Sequence, residues 1–225
     1  MQQKILLGYS ENVISLLLET LLNRGEKGPV HVFLNQPLSG QRVKSFTPPG
    51  VEVVVHSAGE APVVGENSRF LLAVYNPEVK QKVFAYFLDR CGINEKHYST
   101  LIHLSSVMAS TASMGNGCYV EPLSVISPFS QLGFAVSVNR GVSIGHHTRI
   151  GDFVTIGPGV NIAGNTVIGD NSLIGMGSVI FDNISIGKNC KIGGGSVVTK
   201  DIPDNVVAFG NPCRITKNNP VHEQQ

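Results

Sequence analysis

From Ile102 every sixth residue is apolar, without a slip: Met108, Met114, Val120, Ile126, Leu132, Val138, Ile144, Ile150, Ile156, Ile162, Ile168, Ile174, Ile180, Ile186, Ile192 and Val198. Seventeen successive matches are far beyond accident in a chain that is 42% hydrophobic. Two residues earlier stands a small or β-branched residue: Val142, Thr148, Val154, Val160, Thr166, Ser172, Ser178, Ile184, Cys190 and Ser196. Positions two apart on a strand face the same way, so each six-residue unit sends two side chains inward. From Ile144 on, the residue after the aliphatic one is Gly or Ala in eight of ten units, the exceptions being Phe181 and Thr199. Glycine there suits the sharp corner of a coiled strand. Three units close a triangular coil, and coils stack about 4.8 Å apart with continuous backbone pairing. Seventeen units predict between five and six coils with no loop extruded, so any site must lie on the coil surface, on a neighbouring subunit or on the preceding domain.

The first 97 residues follow a different pattern. Apolar runs at Lys4–Tyr9, Val30–Leu34, Val51–Val55 and Arg69–Tyr75 read as strands. Between the first two, Val13, Leu16, Leu17, Thr20 and Leu21 recur at helical spacing, with Asn12 as cap and Gly25 as stop. After Pro77, residues Val79, Val83, Phe84, Phe87 and Cys91 share a helical face closed by Gly92. Alternating strands and helices imply a small parallel-sheet α/β domain. Eight of the 25 glycines fall in residues 1–97 and 17 beyond, which marks a boundary near Glu95–Ser99. The expected organisation is residues 1–97 as a Rossmann-like α/β domain, 98–217 as an all-β parallel β-helix, and 218–225 as a frayed polar tail.

Composition narrows the function. Seventeen Lys+Arg against 16 Asp+Glu leave a net charge of +1, which excludes a basic nucleic-acid footprint. With no Trp and 7% aromatics, stacking platforms for single strands are absent. No apolar run reaches the roughly 20 residues of a membrane span, and the N-terminus lacks an export-signal layout, so a cytoplasmic location is expected. Cys91, Cys118, Cys190 and Cys213 form no CxxC pair and read as reduced thiols, with Cys118 and Cys190 at inward positions.

Several stretches resemble one known family. They are Leu101-Ile102-His103 at the solenoid entry, Val138-Asn139-Arg140-Gly141, His146 followed by Ile150-Gly151-Asp152-Phe153-Val154, Gly193 through Val207, and Gly210-Asn211-Pro212. Residues 3–216 together look like the bacterial sugar acetyltransferases of the left-handed β-helix, hexapeptide-repeat superfamily, typified by sialic-acid O-acetyltransferases and nucleotide-amino-sugar N-acetyltransferases. The resemblance implies left-handed winding, a homotrimer with sites at solenoid seams, acetyl-CoA as acyl donor, no metal, and a sugar acceptor. The sequence departs from the family at three places. The glycine-rich N-terminal loop is replaced by Gly8-Tyr9-Ser10-Glu11-Asn12, the acidic residue after the histidine is His147, and a second family histidine aligns with Thr155.

Acyl transfer from a thioester needs a base for the nucleophile's proton and a donor for the developing oxyanion. His146 suits the first role by type and by family register, and its place at a coil corner turns the ring outward. His147, Asp182, Asp152 or a carboxylate from another subunit remain alternatives for orienting it. By resemblance, the acceptor falls to Gly8, Ser10, Asn12 and Asn35 at the sheet's strand ends, and to Asn139 and Arg140. The donor falls to Thr155, Gly157, Gly175, Met176 and Gly194, with Lys200 and Arg214 for its phosphates. The implied activity is acetyl transfer to an amino group of a nucleotide-linked sugar in bacterial surface glycan synthesis. Transfer to a sugar or sialic-acid-like hydroxyl and a non-catalytic trimeric scaffold stand as alternatives. A zinc carbonic anhydrase is disfavoured because His103, His146 and His147 lack the spacing for three ligands, and a nucleotidyltransferase because its nucleotide loop is missing.

Overall fold

The structure is a computed structural model that describes residues 4–37, 48–65 and 68–219. Its N-terminal unit is a four-stranded parallel sheet of β1 (Lys4–Leu7), β2 (Val30–Phe33), β3 (Val53–His56) and β4 (Arg69–Leu72), in the order β3-β2-β1-β4. Helix α1 (Glu11–Asn23) covers one face through Val13, Ile14, Leu17, Leu18 and Leu21, and α2 (Pro77–Cys91) covers the other. Two expectations need correction here. Ser10, not Asn12, is the residue at the α1 boundary, and Asn12 lies exposed inside the first turn. The buried face of α2 is rotated: Val83 and Phe87 are buried as expected, but Val79 is exposed and Lys80 is fully buried. Helical periodicity points at Val79 because apolar residues usually face inward. Lys80 is recruited instead by the carbonyls of the neighbouring solenoid.

A short 3-10 turn, Glu95–His97, leads into a left-handed parallel β-helix of seventeen two-residue strands, β5 (Leu101–Ile102) to β21 (Val197–Val198). Strands three units apart pair in parallel with an 18-residue register, giving three flat faces. The first face contains Leu101–Ile102, Ser137–Val138, Thr155–Ile156 and Lys191–Ile192. It is extended by β22 (Val206–Phe209) and β23 (Arg214–Asn218). The second contains Val107–Met108, Ser143–Ile144 and Val197–Val198, and the third Ser113–Met114, Arg149–Ile150 and Ser185–Ile186.

The core is the column of sixth-position aliphatics, with the small residues two places earlier buried beside them. Each fully buried Ile contributes about 1.5–3 kcal/mol. The glycine after the aliphatic residue works differently from the expectation. Its backbone is not left-handed; a Cβ there has no room, and at Gly175 it would lie 2.4 Å from the Gly194 nitrogen one coil on. The left-handed conformation falls two residues later, at positions including His147 (φ 58°) and Asn165 (φ 55°).

The C-terminus also differs from the expected frayed tail. Asn218 ends β23, and Asn219 is buried, its N–H donating to Asn205 O and its amide to Asn189 O. The rest of that segment, residues 220–225, lies outside the described residues.

The N-terminal unit docks on the first face through both its helices. Tyr119 Oη bonds Thr20 Oγ1 at 2.9 Å and the Leu16 carbonyl at 3.0 Å, and Lys191 pairs with Glu78 at 2.7 Å. The Lys80 ammonium donates to Ala135 O (2.8 Å), Val154 O (3.0 Å) and Ser137 Oγ (3.3 Å).

Candidate active site

His146 sits exposed on the corner between the second and third faces, after the strand Ser143–Ile144. Its Nδ1 lies 3.1 Å from Nδ1 of His147, whose ring packs on Phe129 at 4.9 Å between centroids. The two nitrogens are at hydrogen-bond distance, and the tautomers set which one donates. If His146 donates, its Nε2 keeps a lone pair and can act as a base; His147 then accepts and carries its own proton on Nε2. In that tautomer His147 stands as the acceptor that an acidic neighbour would otherwise give. The other candidates are engaged elsewhere. Asp182 accepts from Asn183 at 2.6 Å, and Asp152 caps the Phe134 N–H at 2.7 Å.

The next coil places Gly164 against the His146 ring: a Cβ at 164 would fall 2.6 Å from Cε1 and 2.7 Å from Nε2. Among the described residues no intrachain hydrogen bond engages the backbone N–H of Gly164. An imidazole and an unused backbone donor therefore sit side by side.

The three edges of the prism are not equivalent. On the edge between the third and first faces, Asp152, Asp170 and Asp204 accept the N–H groups of Phe134, Asp152 and Lys188. Those three donors are met by the chain's own side chains, while the Asp170 N–H on the same edge has no intrachain partner among the described residues. Among the described residues, the N–H groups of His146, Gly164, Asp182 and Lys200 on the His146 edge have no intrachain partner, nor do those of Met176 and Gly194 on the edge between the first and second faces. The His146 edge thus offers a ladder of donors at the coil spacing, and the other a pair one coil apart, since Pro122 and Pro158 lack an N–H and Arg140 donates to Glu121.

The residues singled out by sequence divide between the open edges. His146, His147 and exposed Lys200 lie on one. Asn139, Arg140, Gly157, Gly175, Met176 and Gly194 lie on the other, which Tyr75, just past the C-terminal end of β4, reaches through Glu121 and Thr155. Gly8, Ser10 and Asn35 follow the C-terminal ends of β1 and β2 in the same parallel sheet. Gly8 has φ 83° and donates its N–H to Phe33 O; Ser10 makes no side-chain cap bond. Arg214 is exposed on β23. Thr155 is placed differently from the reading as a donor residue. It is 3% exposed, and its hydroxyl donates to Tyr75 O at 2.5 Å, so it is an interdomain contact.

Sequence reasoning passed over Glu121 and Tyr75. Glu121 has no exposed surface; its carboxylate accepts the Tyr75 hydroxyl, the Arg140 N–H at 3.1 Å and Arg140 Nη1 at 3.4 Å. Burial holds its carboxyl above the usual range, against the pull of Arg140. The 18-residue register was the available signal, since it stacks Glu121 on Asn139, Gly157 and Gly175. Beside it, Oδ1 of Asn139 is buried without a partner. Among the described residues no group of three or more His, Cys, Asp or Glu is placed to hold a metal ion, and no helix is long and apolar enough to cross a membrane.

Comparison with known proteins agrees with this architecture. The family described as Bacterial transferase hexapeptide (six repeats) matches residues 165–200. No curated protein sequence matches the chain. Among solved structures, perosamine N-acetyltransferase from Caulobacter crescentus, in complex with CoA and GDP-perosamine, is 24% identical with a TM-score of 0.76, over 97% of this chain and 98% of that one. The acetyltransferase domain of PglB from Neisseria gonorrhoeae, in complex with acetyl coenzyme A, is 23% identical with a TM-score of 0.78, over 96% and 100%. WeeI from Acinetobacter baumannii is 23% identical with a TM-score of 0.73, over 96% and 100%. At these identities the likeness establishes the two-part fold.

Proposed function

We propose that the chain is an acyl-CoA-dependent transferase, acetyl being the simplest donor, that acts on an amino group of a nucleotide-linked sugar in bacterial surface glycan synthesis. The observation that carries this reading is the His146–His147 pair over Gly164, on a solenoid that shares its fold with acetyltransferases whose structures hold CoA and GDP-perosamine.

The chemistry follows from the groups present. His146, donating through Nδ1 to His147, removes the proton of the attacking amine at Nε2. The Gly164 N–H, which has no intrachain partner among the described residues, stabilises the oxyanion as the carbonyl becomes tetrahedral. The imidazolium that forms keeps its Nδ1 hydrogen bond, so one contact serves both protonation states. Collapse of the intermediate expels the thiolate, and transfer is direct. A cysteine route is disfavoured because Cys118 and Cys190 are buried, and burial pushes the Cys118 thiol up to about 11.

The donor's pantetheine amides match the free N–H groups of Met176 and Gly194, and Lys200 and Arg214 are the candidates for its phosphates. The acceptor would lie at the strand ends near Gly8, Ser10, Asn12 and Asn35, beside Asn139 and Arg140. The two open edges flank the second face, which carries exposed Val107, Val125 and, at its corners, Leu123 and Phe129. Packing this face against another copy would bring unlike edges together, which supports a homotrimer with sites at the seams.

The test is thiol release from acetyl-CoA with a panel of nucleotide-linked amino sugars that includes GDP-perosamine, compared with His146→Ala. The expected result is turnover that falls at least 100-fold in the variant while acetyl-CoA binding is kept. Release with hydroxyl acceptors alone would reassign the reaction to O-transfer. Absence of both binding and turnover would overturn the reading in favour of a scaffold.

A further inference from the structure

Lys80 and Glu121 are the two fully buried charged side chains among the described residues, and the mechanism above uses neither. Glu121 joins the domains on the open acceptor edge. One carboxylate oxygen receives the hydroxyl of Tyr75, just beyond β4; the other receives both the backbone and the side chain of Arg140. Arg140 itself is 60% exposed, with a single guanidinium hydrogen bond among the described residues. Most of its donors therefore face outward from a base that is held on three sides. A carboxylate removed from water is costly unless its partners are held in good geometry. The same position carries glycine at 157, 175 and 193 in other coils, so the fold does not require an acid there.

The start of α1 sharpens the point. A helix N-terminus favours an anion, but Glu11 occupies the first turn and places a carboxylate there. A negative acceptor group needs its charge met elsewhere. Arg140 is the cationic side chain among the described corners of this edge.

We propose that Glu121, with Tyr75, is a positioning residue that aims the Arg140 guanidinium at an anionic group of the acceptor, a phosphate or a carboxylate. The inference rests on the acceptor edge read above and names the charge of what binds there. A guanidinium held by one carboxylate presents its remaining N–H donors in a fixed fork, the arrangement that recognises phosphate or carboxylate bidentately. A mobile one spends part of the binding free energy on ordering.

The sign of one measurement decides the matter. Deleting a negative charge beside an arginine should, by Coulomb's law alone, tighten anion binding. Loss of aim should weaken it. Calorimetric titration of the protein with GDP, UDP and N-acetylneuraminic acid gives the affinities without requiring turnover. The expected result is that at least one of them binds, that Glu121→Gln weakens it about tenfold, and that Arg140→Ala weakens it at least as much. The double variant should be no weaker than Arg140→Ala. The nucleotide arms report a phosphate and the sialic-acid arm a carboxylate. Unchanged or tighter binding in Glu121→Gln, or no binding of any probe by the unmodified protein, overturns the proposal.

Tyr75→Phe, which keeps the carboxylate and loosens its grip, should give an intermediate weakening and decides the case if Glu121→Gln does not fold. In the turnover assay the acceptor KM should rise with kcat and the acetyl-CoA KM unchanged, a split that a purely structural role would not produce. Anion binding that depends on Glu121 without acetyl transfer would remove the proposed reaction and leave this site standing.

Discussion

Gly164 lies directly against the imidazole of His146, one coil further along the same edge, and leaves no room for a methyl group. The backbone at 164 is not in the left-handed region, so alanine is tolerated by the chain itself. Gly164→Ala is expected to cost little stability, because the exposed ring can swing aside. It should lower kcat at least tenfold, since the base and the Gly164 N–H are then misaligned. Thermal unfolding and turnover measured together check this; an unchanged kcat would remove the ring's present position from the mechanism.

Lys80 is held by three oxygens and faces no carboxylate among the described residues. Lys80→Met strands the Ala135 carbonyl, while Val154 O keeps the Ser137 N–H, and should cost about 1–3 kcal/mol. Burial pushes the ammonium from an ordinary 10.5 down to about 7 in the folded protein, with Cys118 opposing weakly. Between those values the unfolded chain binds more protons than the folded one, so stability rises with pH across that window and falls as pH drops toward 7. Urea unfolding of the protein minus that of Lys80→Met should show this slope. A flat difference would mean that the three acceptors keep Lys80 charged throughout.

Two glycines on the edge between the first and second faces separate folding from the proposed binding. At Gly175 a Cβ would meet backbone atoms at 2.4 and 2.6 Å, so Gly175→Ala should destabilise the stack by about 1–3 kcal/mol. At Gly194 the nearest atom is Met176 O at 3.2 Å, which a small shift accommodates. Gly194→Ala should leave the melting temperature nearly unchanged and raise the acetyl-CoA KM. An unaltered KM would move the donor off this edge.

His146 and Arg140 stand on different edges, with the second face between them. If sites form where subunits meet, chains carrying His146→Ala and chains carrying Arg140→Ala should regain activity when co-expressed, although each is defective alone. A mixture no more active than its components would place the whole site within one chain.

The solenoid was legible because its period repeats one physical requirement, an inward aliphatic every six residues, from Ile102 to Val198. The α/β alternation was legible for a similar reason. What escaped depends on contacts between distant segments. Lys80 was passed over because its three acceptors come from a separate domain. Ser10 displaced Asn12 at the start of α1 without offering a side-chain bond, so capping preference had nothing to detect. The glycine positions were found correctly but explained wrongly, since the constraint is the next coil's backbone rather than the torsion angles. The outward placement of His146 followed from register. Its hydrogen bond with His147 did not, because it depends on the left-handed backbone at 147.

The two ends of the coil stack are unlike. At the far end Ile202, Cys213 and the β22 residues Val206 and Ala208 are buried with the last coil. At the near end Ile102, Met108 and Met114 are only partly buried. In a nearest-neighbour stack this asymmetry gives unravelling a direction: amides of the first coil exchange earliest, and protection deepens toward the sealed end. His146 lies in the third coil, two turns in from the loose end, so breathing there is damped before it reaches the histidine.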